Sequence, residues 1–265
     1  MKKLTKILMS ALCIAAIGSS MAALGGCGSK KESITVSGSS SVTPIMEKLA
    51  AEYEKTHDVR ITVNMSSSGA GISDTQNGLN DFGMSSRELK SSETGVKGYT
   101  LCMDGIALIV NKDCSVTDVS KTDVKALFEN GTAIPDTSIT AAIGRKDSSG
   151  TRKAFDELMG IKSYYSSAAI QEETGNVIEV IKESTNSIGY ISYGSLQSTV
   201  KAVSLDGIAC TIENILNNSY ALQRPFIIVL KENSKLSAAA QGFYDYIMSA
   251  EAQAVITGAN YISVK

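Results

Sequence analysis

The chain has 265 residues, 43% hydrophobic and 20% charged, enough apolar content for a real core and a composition unlike that of a disordered chain. Its formal net charge of -2 argues against a dedicated nucleic-acid binder, which needs a basic surface. One His, five Cys, no Trp and 6% aromatics leave little for rich zinc or haem coordination and disfavour a sugar-stacking groove or aromatic cage.

Lys2, Lys3 and Lys6 open the chain, and Ile7 to Gly26 carries no charge. That is the pattern of an export signal rather than a core helix. The stretch ends in LGGC, Leu24 to Cys27, which has the form of a bacterial lipobox. The expectation is cleavage after residue 26 and lipid on Cys27, with residues 27–32 as a polar tether. A short uncleaved anchor is the alternative. Cleavage would remove three positive charges and no negative ones, leaving a more acidic chain. Cys102, Cys114 and Cys210 are odd in number and lack the close spacing of a metal knuckle. Cys102 reads as a small buried hydrophobe, and one structural disulfide among the three is the alternative.

Ile34 to Ser37 reads as a first strand, followed by the turn-rich GSSSVTP and a helix over Pro44 to Lys55. Proline suits a first helical turn, and Ile45, Met46, Leu49, Ala50 and Tyr53 recur at helical spacing. A strand at Val59–Val63, the loop NMSSSGAGI with a short helix, and a strand ending in Asp81–Met84 follow. Gly105 to Val110 is a continuous apolar run, as in a strand buried on both faces. Further on come a helix at Val119–Glu129, a strand at Ile139–Ile143 and helices at Thr151–Met159 and Asn176–Lys182. Strands at Ile188–Ser192, Lys201–Leu205 and within Tyr220–Leu230, and a final helix at Ala238–Ala250, complete the set. Strand, small-residue loop and helix in repetition is the grammar of an α/β fold with a largely parallel sheet. GIALIV and PFIIVL are read as crossings between two lobes, residues 33–105 with 225–265 and residues 106–224.

Three loops share one pattern. SGSSSVTP (Ser37–Pro44), SSSGAG (Ser66–Gly71) and RKDSSGTR (Arg145–Arg152) each leave a predicted strand and enter a predicted helix. Amides at a helix start have no partner within the helix, small residues admit an anion, and the helix dipole favours negative charge. Serine at such a position can equally be a plain cap. Arg145 adds a permanent charge and a planar set of donors suited to a tetrahedral oxyanion. Ser85 and Ser86 follow a strand end and bring further hydroxyls; Arg87 faces either the ligand or nearby carboxylates, and Arg152 a carboxylate or solvent. No P-loop, dinucleotide-binding or nucleophile-elbow motif occurs, and His57 reads as an exposed turn residue. No catalytic residue, metal ligand or cofactor site is assigned.

With these residues the chain resembles the phosphate-binding lipoproteins of bacterial phosphate ABC transporters. The matching stretches are SGSSSVTPIMEKLAAEY (Ser37–Tyr53), SSSGAGI (Ser66–Ile72), DFGMSSREL (Asp81–Leu89), DGIALIVN (Asp104–Asn111) and GRKDSSGTRKAFDEL (Gly144–Leu158). SIGYIS (Ser187–Ser192) and RPFIIV (Arg224–Val229) add support. The resemblance implies a two-lobed periplasmic-binding-protein-like fold, each lobe a mixed, mostly parallel sheet flanked by helices, with two crossover strands as hinge. It implies phosphate as ligand, a monomer, a membrane permease with separate ATPase subunits as partner, and a lipid-anchored place on the outer face of the cell membrane. Carried over by position, Ser40, Ser41, Ser68, Ser86, Arg145, Ser149, Gly150 and Thr151 become the phosphate-binding set, with Ser39, Ser85 and Arg87 as additional candidates. Ser86 stands where several relatives use an aspartate to accept the proton of hydrogen phosphate, which weakens the expected discrimination against sulfate. Another oxyanion such as sulfate or molybdate, a phosphoester hydrolase, and a sensor or adhesion lipoprotein are the alternative readings.

Overall fold

The structure is a computed structural model that describes residues 31–264; the predicted signal and Cys27 lie outside them. Its opening strand, β1 (Glu32–Ser39), pairs in parallel with β2 (Val59–Ser66) on one side and β3 (Phe82–Ser85) on the other. Between β1 and β2, helix α1 (Thr43–Glu54) carries Pro44 in its first turn and buries Ile45, Met46, Leu49, Ala50 and Tyr53, the stripe anticipated from spacing. Helix α2 (Ser68–Asn77) then connects β2 to β3.

The strand seen in sequence only as GIALIV is far longer. β4 runs from Val96 to Asn111, 16 residues. Its first part pairs antiparallel with β10 (Gln223–Lys231), from Val96 opposite Lys231 to Gly105 opposite Gln223. From Ile106 onward it pairs with β8 (Ser187–Ser192) and β9 (Val200–Leu205). The stretch before Gly105 mixes polar residues with apolar ones and is only half buried along Gly98–Thr100, so no continuous apolar run marks it. A register shift at Phe226/Ile227 interrupts the β4–β10 ladder, the local bend that a bulge produces.

The remaining elements build on the far end of β4. They are β5 (Asp118–Val119), α3 (Lys121–Asn130), β6 (Ala141–Arg145), α4 (Gly150–Met159), β7 (Ala169–Gln171) and α5 (Thr174–Glu183), with a short α6 (Ile212–Leu216) after β9. The strand order is β2-β1-β3-β10-β4-β8-β6-β7, with β5 and β9 off this path. The parallel pairs lie toward the flanks, whereas β10 and β4 meet all their partners antiparallel. The sheet is therefore mixed, and its centre departs from the mostly parallel expectation because the chain enters and leaves this region on strands that run back along their neighbours.

Two large apolar clusters flank this centre. One gathers Ile34, Val36, Leu49, Phe82, Phe226, Phe243 and Ile256. The other gathers Leu108, Phe128, Phe155, Val177, Ile188, Tyr190 and Leu222. The chain passes from one to the other within β4 near Asp104–Ile106, and returns between Leu222 and Phe226, where the Ile106 N–H donates to the Leu222 carbonyl at 2.7 Å. GIALIV thus begins at its crossing point, with Gly105 still opposite β10 and Ile106 already opposite β8, whereas PFIIVL pairs only with β3 and the first part of β4. The final predicted helix is two, α7 (Ala238–Ile247) and α8 (Ala250–Gly258), because Ser249 caps a new start by accepting from the Ala252 N–H at 3.3 Å. Cys102, Cys114 and Cys210 are free and buried. His57 is exposed and stacks on Tyr53 with ring centroids 3.8 Å apart.

Helix α2 lies so close to β1 that a Cβ on Gly71 would sit 2.6 Å from both the Gly38 Cα and the Ser37 carbonyl oxygen. Those are backbone atoms and cannot swing aside. Gly71→Ala should cost about 1–3 kcal/mol by overpacking, read as a fall of several degrees in Tm; an unchanged melting curve would contradict this packing.

Candidate functional site

In parallel strands every carboxyl end lies at the same edge, which is where the predicted serine loops sit. β1, β2 and β3 end at Ser39, Ser66 and Ser85, and β6 and β7 end at Arg145 and Gln171. Helices α1, α2, α4 and α5 start just beyond β1, β2, β6 and β7 respectively. Their first amides have no partner within the helix. Capping side chains take some of them: Ser67 accepts from the Ala70 N–H at 3.2 Å and Ser149 from the Arg152 N–H at 3.3 Å.

The hydroxyls of these loops are buried and linked to one another. Ser41 Oγ lies 2.9 Å from Thr151 Oγ1 and 3.1 Å from Thr174 Oγ1. Ser39 donates to Ser86 Oγ at 2.9 Å, and Ser68 Oγ lies 3.2 Å from Ser86 Oγ. The Ser86 N–H donates to Ser68 Oγ at 3.1 Å. Ser39, Ser40, Ser41, Ser68, Ser86, Thr151 and Thr174 are all buried.

Arg145 enters this cluster from the end of β6. Its Nη2 donates to Ser40 Oγ at 3.0 Å and to the Glu172 carbonyl at 2.9 Å, while Nη1 donates to Thr174 Oγ1 at 3.1 Å. The residue is 1% exposed, and its Nε has no hydrogen-bond partner among the described residues. All three acceptors are neutral. Burial pulls the guanidinium down to about 10, with the nearby Arg224 acting in the same direction, so it is still charged at neutral pH. A buried cation without a carboxylate is costly, and an anion in contact relieves that cost.

The main chain of Arg145 is held from both sides. Its N–H donates to the Tyr190 hydroxyl at 3.1 Å, and its carbonyl accepts from Arg152 Nη1 at 2.8 Å. Tyr190 in turn stacks on Phe155 with centroids 4.0 Å apart and hydrogen-bonds Tyr164 at 2.7 Å. Arg152 also meets Asp147 at 3.1 Å and Asp156 at 3.4 Å, the carboxylate partners allowed for in sequence.

Of the predicted set, Ser40, Ser41, Ser68, Ser86, Arg145 and Thr151 share one hydrogen-bonded cluster, joined through the additional candidate Ser39, whose Oγ accepts from the Ser41 N–H at 3.3 Å. Gly150 packs against it: a Cβ there would fall 2.7 Å from Ser86 Oγ and closer still to Ser68 Oγ. Ser149 touches it only as the cap of α4. Ser85 turns away, donating to the Arg87 carbonyl at 2.8 Å. Arg87 takes the carboxylate alternative, gripping Glu93 at 2.6 and 2.9 Å. Thr174 is absent from the predicted set because its helix follows a three-residue strand with no apolar run to mark it. The signal that does exist is Thr174-Gly175, small residues at a fourth strand-to-helix junction.

Helix starts thus surround one buried cation at the strand edge. A family model described as "PBP superfamily domain" matches residues 26–251. The chain belongs to the PBP superfamily. Within that superfamily it is homologous to phosphate-binding proteins of ABC transporters. A solved structure of a Clostridium perfringens protein assigned to phosphate ABC transport, with bound phosphate, is 36% identical at a TM-score of 0.83, covering 88% of this chain and 100% of that one. A Vibrio cholerae ABC-type phosphate transport receptor is 30% identical at a TM-score of 0.71, covering 87% and 99%. The Streptococcus pneumoniae phosphate-binding protein PstS 2 is 39% identical over 132 residues, 46% of this chain and 45% of that protein; the alignment spans just under half of the relative. The Bacillus subtilis phosphate-binding protein PstS aligns at 28% identity over 100% of this chain and 95% of its own length.

For this PBP-superfamily cage, the closeness of Gly150 to Ser68 and Ser86 supplies a direct test. Alanine is at home in a first helical turn, so Gly150→Ala should leave the fold intact while forcing the α2 and α4 loops apart. Binding of a tetrahedral oxyanion should weaken more than tenfold by calorimetry; unchanged affinity would mean that these loops need not approach.

Proposed function

We propose that this chain captures inorganic phosphate between two lobes and hands it to a membrane permease driven by separate ATPase subunits. The observation that carries the reading is Arg145, buried beside Ser40 and Thr174 with no carboxylate among its described partners. On this reading Ser40, Ser41, Ser68, Ser86, Arg145, Gly150 and Thr151 face the anion, Ser39 and Thr174 join them, and Ser149 holds the α4 start in place. The two apolar clusters act as the lobes, residues 33–105 with 225–265 and residues 106–224, and the paired crossings near Asp104 and Arg224 act as the hinge. Binding is reversible and involves no covalent step.

Charge-assisted hydrogen bonds contribute roughly 1.5–3 kcal/mol each. Desolvation and lobe ordering offset much of the sum, so several donors must act together. Closure then presents a surface that differs from the open form and lets the permease recognise the loaded protein. Lipid on Cys27, outside the described residues, would hold the chain at the outer membrane face. Among the described residues no helix is long and apolar enough to cross a membrane.

Titration calorimetry with phosphate, sulfate, arsenate and molybdate tests the ligand; sulfate or molybdate binding without phosphate binding would overturn it. Arg145→Ala should weaken phosphate binding more than tenfold, about 1.4 kcal/mol or more, without unfolding the chain. An unchanged affinity would remove Arg145 from the ligand. Ser86 brings a hydroxyl, which donates or accepts, to a place where a carboxylate could only accept while ionised. Ser86→Asp should therefore shift preference toward hydrogen phosphate over sulfate, and equal losses for both anions would contradict that role.

A further inference from the structure

A buried ion pair links the two strand crossings to the cage. Arg224 and Asp104 stand opposite each other in the β10–β4 ladder, and their side chains are 2% and 1% exposed. Arg224 donates through Nε at 3.2 Å and Nη2 at 3.1 Å to one oxygen of Asp104, Oδ2. Its third nitrogen, Nη1, donates to the main-chain carbonyl of Ser86 at 3.2 Å. The other carboxylate oxygen, Oδ1, accepts from Ser192 Oγ at 2.9 Å and from the Gly194 N–H at 3.4 Å. Ser192 closes strand β8 in the second cluster's sheet, whereas Ser86 follows β3 in the first.

A buried ion pair is poor evidence of stabilisation, since its desolvation cost rivals its attraction. Its geometry here is informative instead. The guanidinium fork spans two acceptors at once, which a lysine ammonium on its flexible stem does not reproduce. Ser86 is thereby held at both ends, its N–H on Ser68 Oγ and its carbonyl on Arg224. Between those anchors its hydroxyl accepts from Ser39 and lies beside Ser68. We infer that Arg224, oriented by Asp104, is a positioning residue that sets Ser86 in the anion cage and ties that setting to the place of β8 across the crossing.

This inference rests on the phosphate-binding reading, and the test separates the two. Phosphate affinity and dissociation rate are measured for the wild-type chain, Arg224→Lys, Ser86→Ala and the double variant, alongside amide hydrogen exchange of the segment 81–93 without phosphate. Arg224→Lys should keep a near-wild-type Tm, weaken phosphate binding about tenfold, chiefly through faster dissociation, and speed exchange in 81–93. In the Ser86→Ala background the same substitution should cost less than twofold, because the hydroxyl it positions is gone. Losses that multiply, or a Tm drop with unchanged affinity, would overturn the positioning role. If Arg224→Lys fails to fold, Asp104→Asn with Arg224→Gln removes both charges together and enters the same comparison. A wild-type chain that binds no phosphate defeats the transport reading instead, while unaltered exchange in 81–93 defeats this one by itself.

Discussion

A guanidinium taken out of water without a carboxylate beside it is the constraint on which this structure turns. Arg145 meets two hydroxyls and a carbonyl, all neutral, so the cage keeps net positive charge where water has little access. Such a charge is expensive to bury alone. Tyr190 and Arg152 brace the backbone of Arg145, which fixes the point from which its side chain reaches the cage. What remains is a stiff cationic site lined by groups that donate hydrogen bonds.

The topology explains why the donors converge. Two sets of parallel strands, β1 to β3 and β6 to β8, present their carboxyl ends and the helix starts beyond them along one edge each. Strand β4 runs through both pairing zones. Each edge therefore brings its own loops, and the bonds from Ser40 and Ser41 to Arg145, Thr151 and Thr174 join residues more than a hundred positions apart. Helix starts from both edges are thereby linked through one set of buried hydroxyls.

Comparison of the arginines near this region clarifies what distinguishes the site. Arg87 is matched by Glu93, Arg152 by Asp147 and Asp156, and Arg224 by Asp104. Among the described residues only Arg145 of these four lacks a carboxylate. Burial alone does not separate them, because Arg224 is as deeply enclosed as Arg145. The difference is the partner. The other three guanidiniums are neutralised where they sit, and that of Arg145 is not.

Much of this was written in local sequence. The α1 stripe follows from helical spacing, the Ser/Gly loops from the demands of helix starts, and Arg145 from its place after a strand, since each depends on residues a few positions apart. The membership of the cage was less accessible. In the structure Ser149 caps α4, Ser85 donates within its own turn and Arg87, in one of its two expected settings, grips Glu93, because a hydroxyl or a guanidinium takes whichever partner the local turn offers. Thr174 was hidden behind a three-residue strand, and the first half of β4 behind its mixed polarity. The Asp104–Arg224 pair joins residues 120 positions apart, a separation that no window along the chain can register. Local periodicity and turn chemistry set the elements, but only strand pairing across the centre of the sheet determines which distant side chains share a point in space.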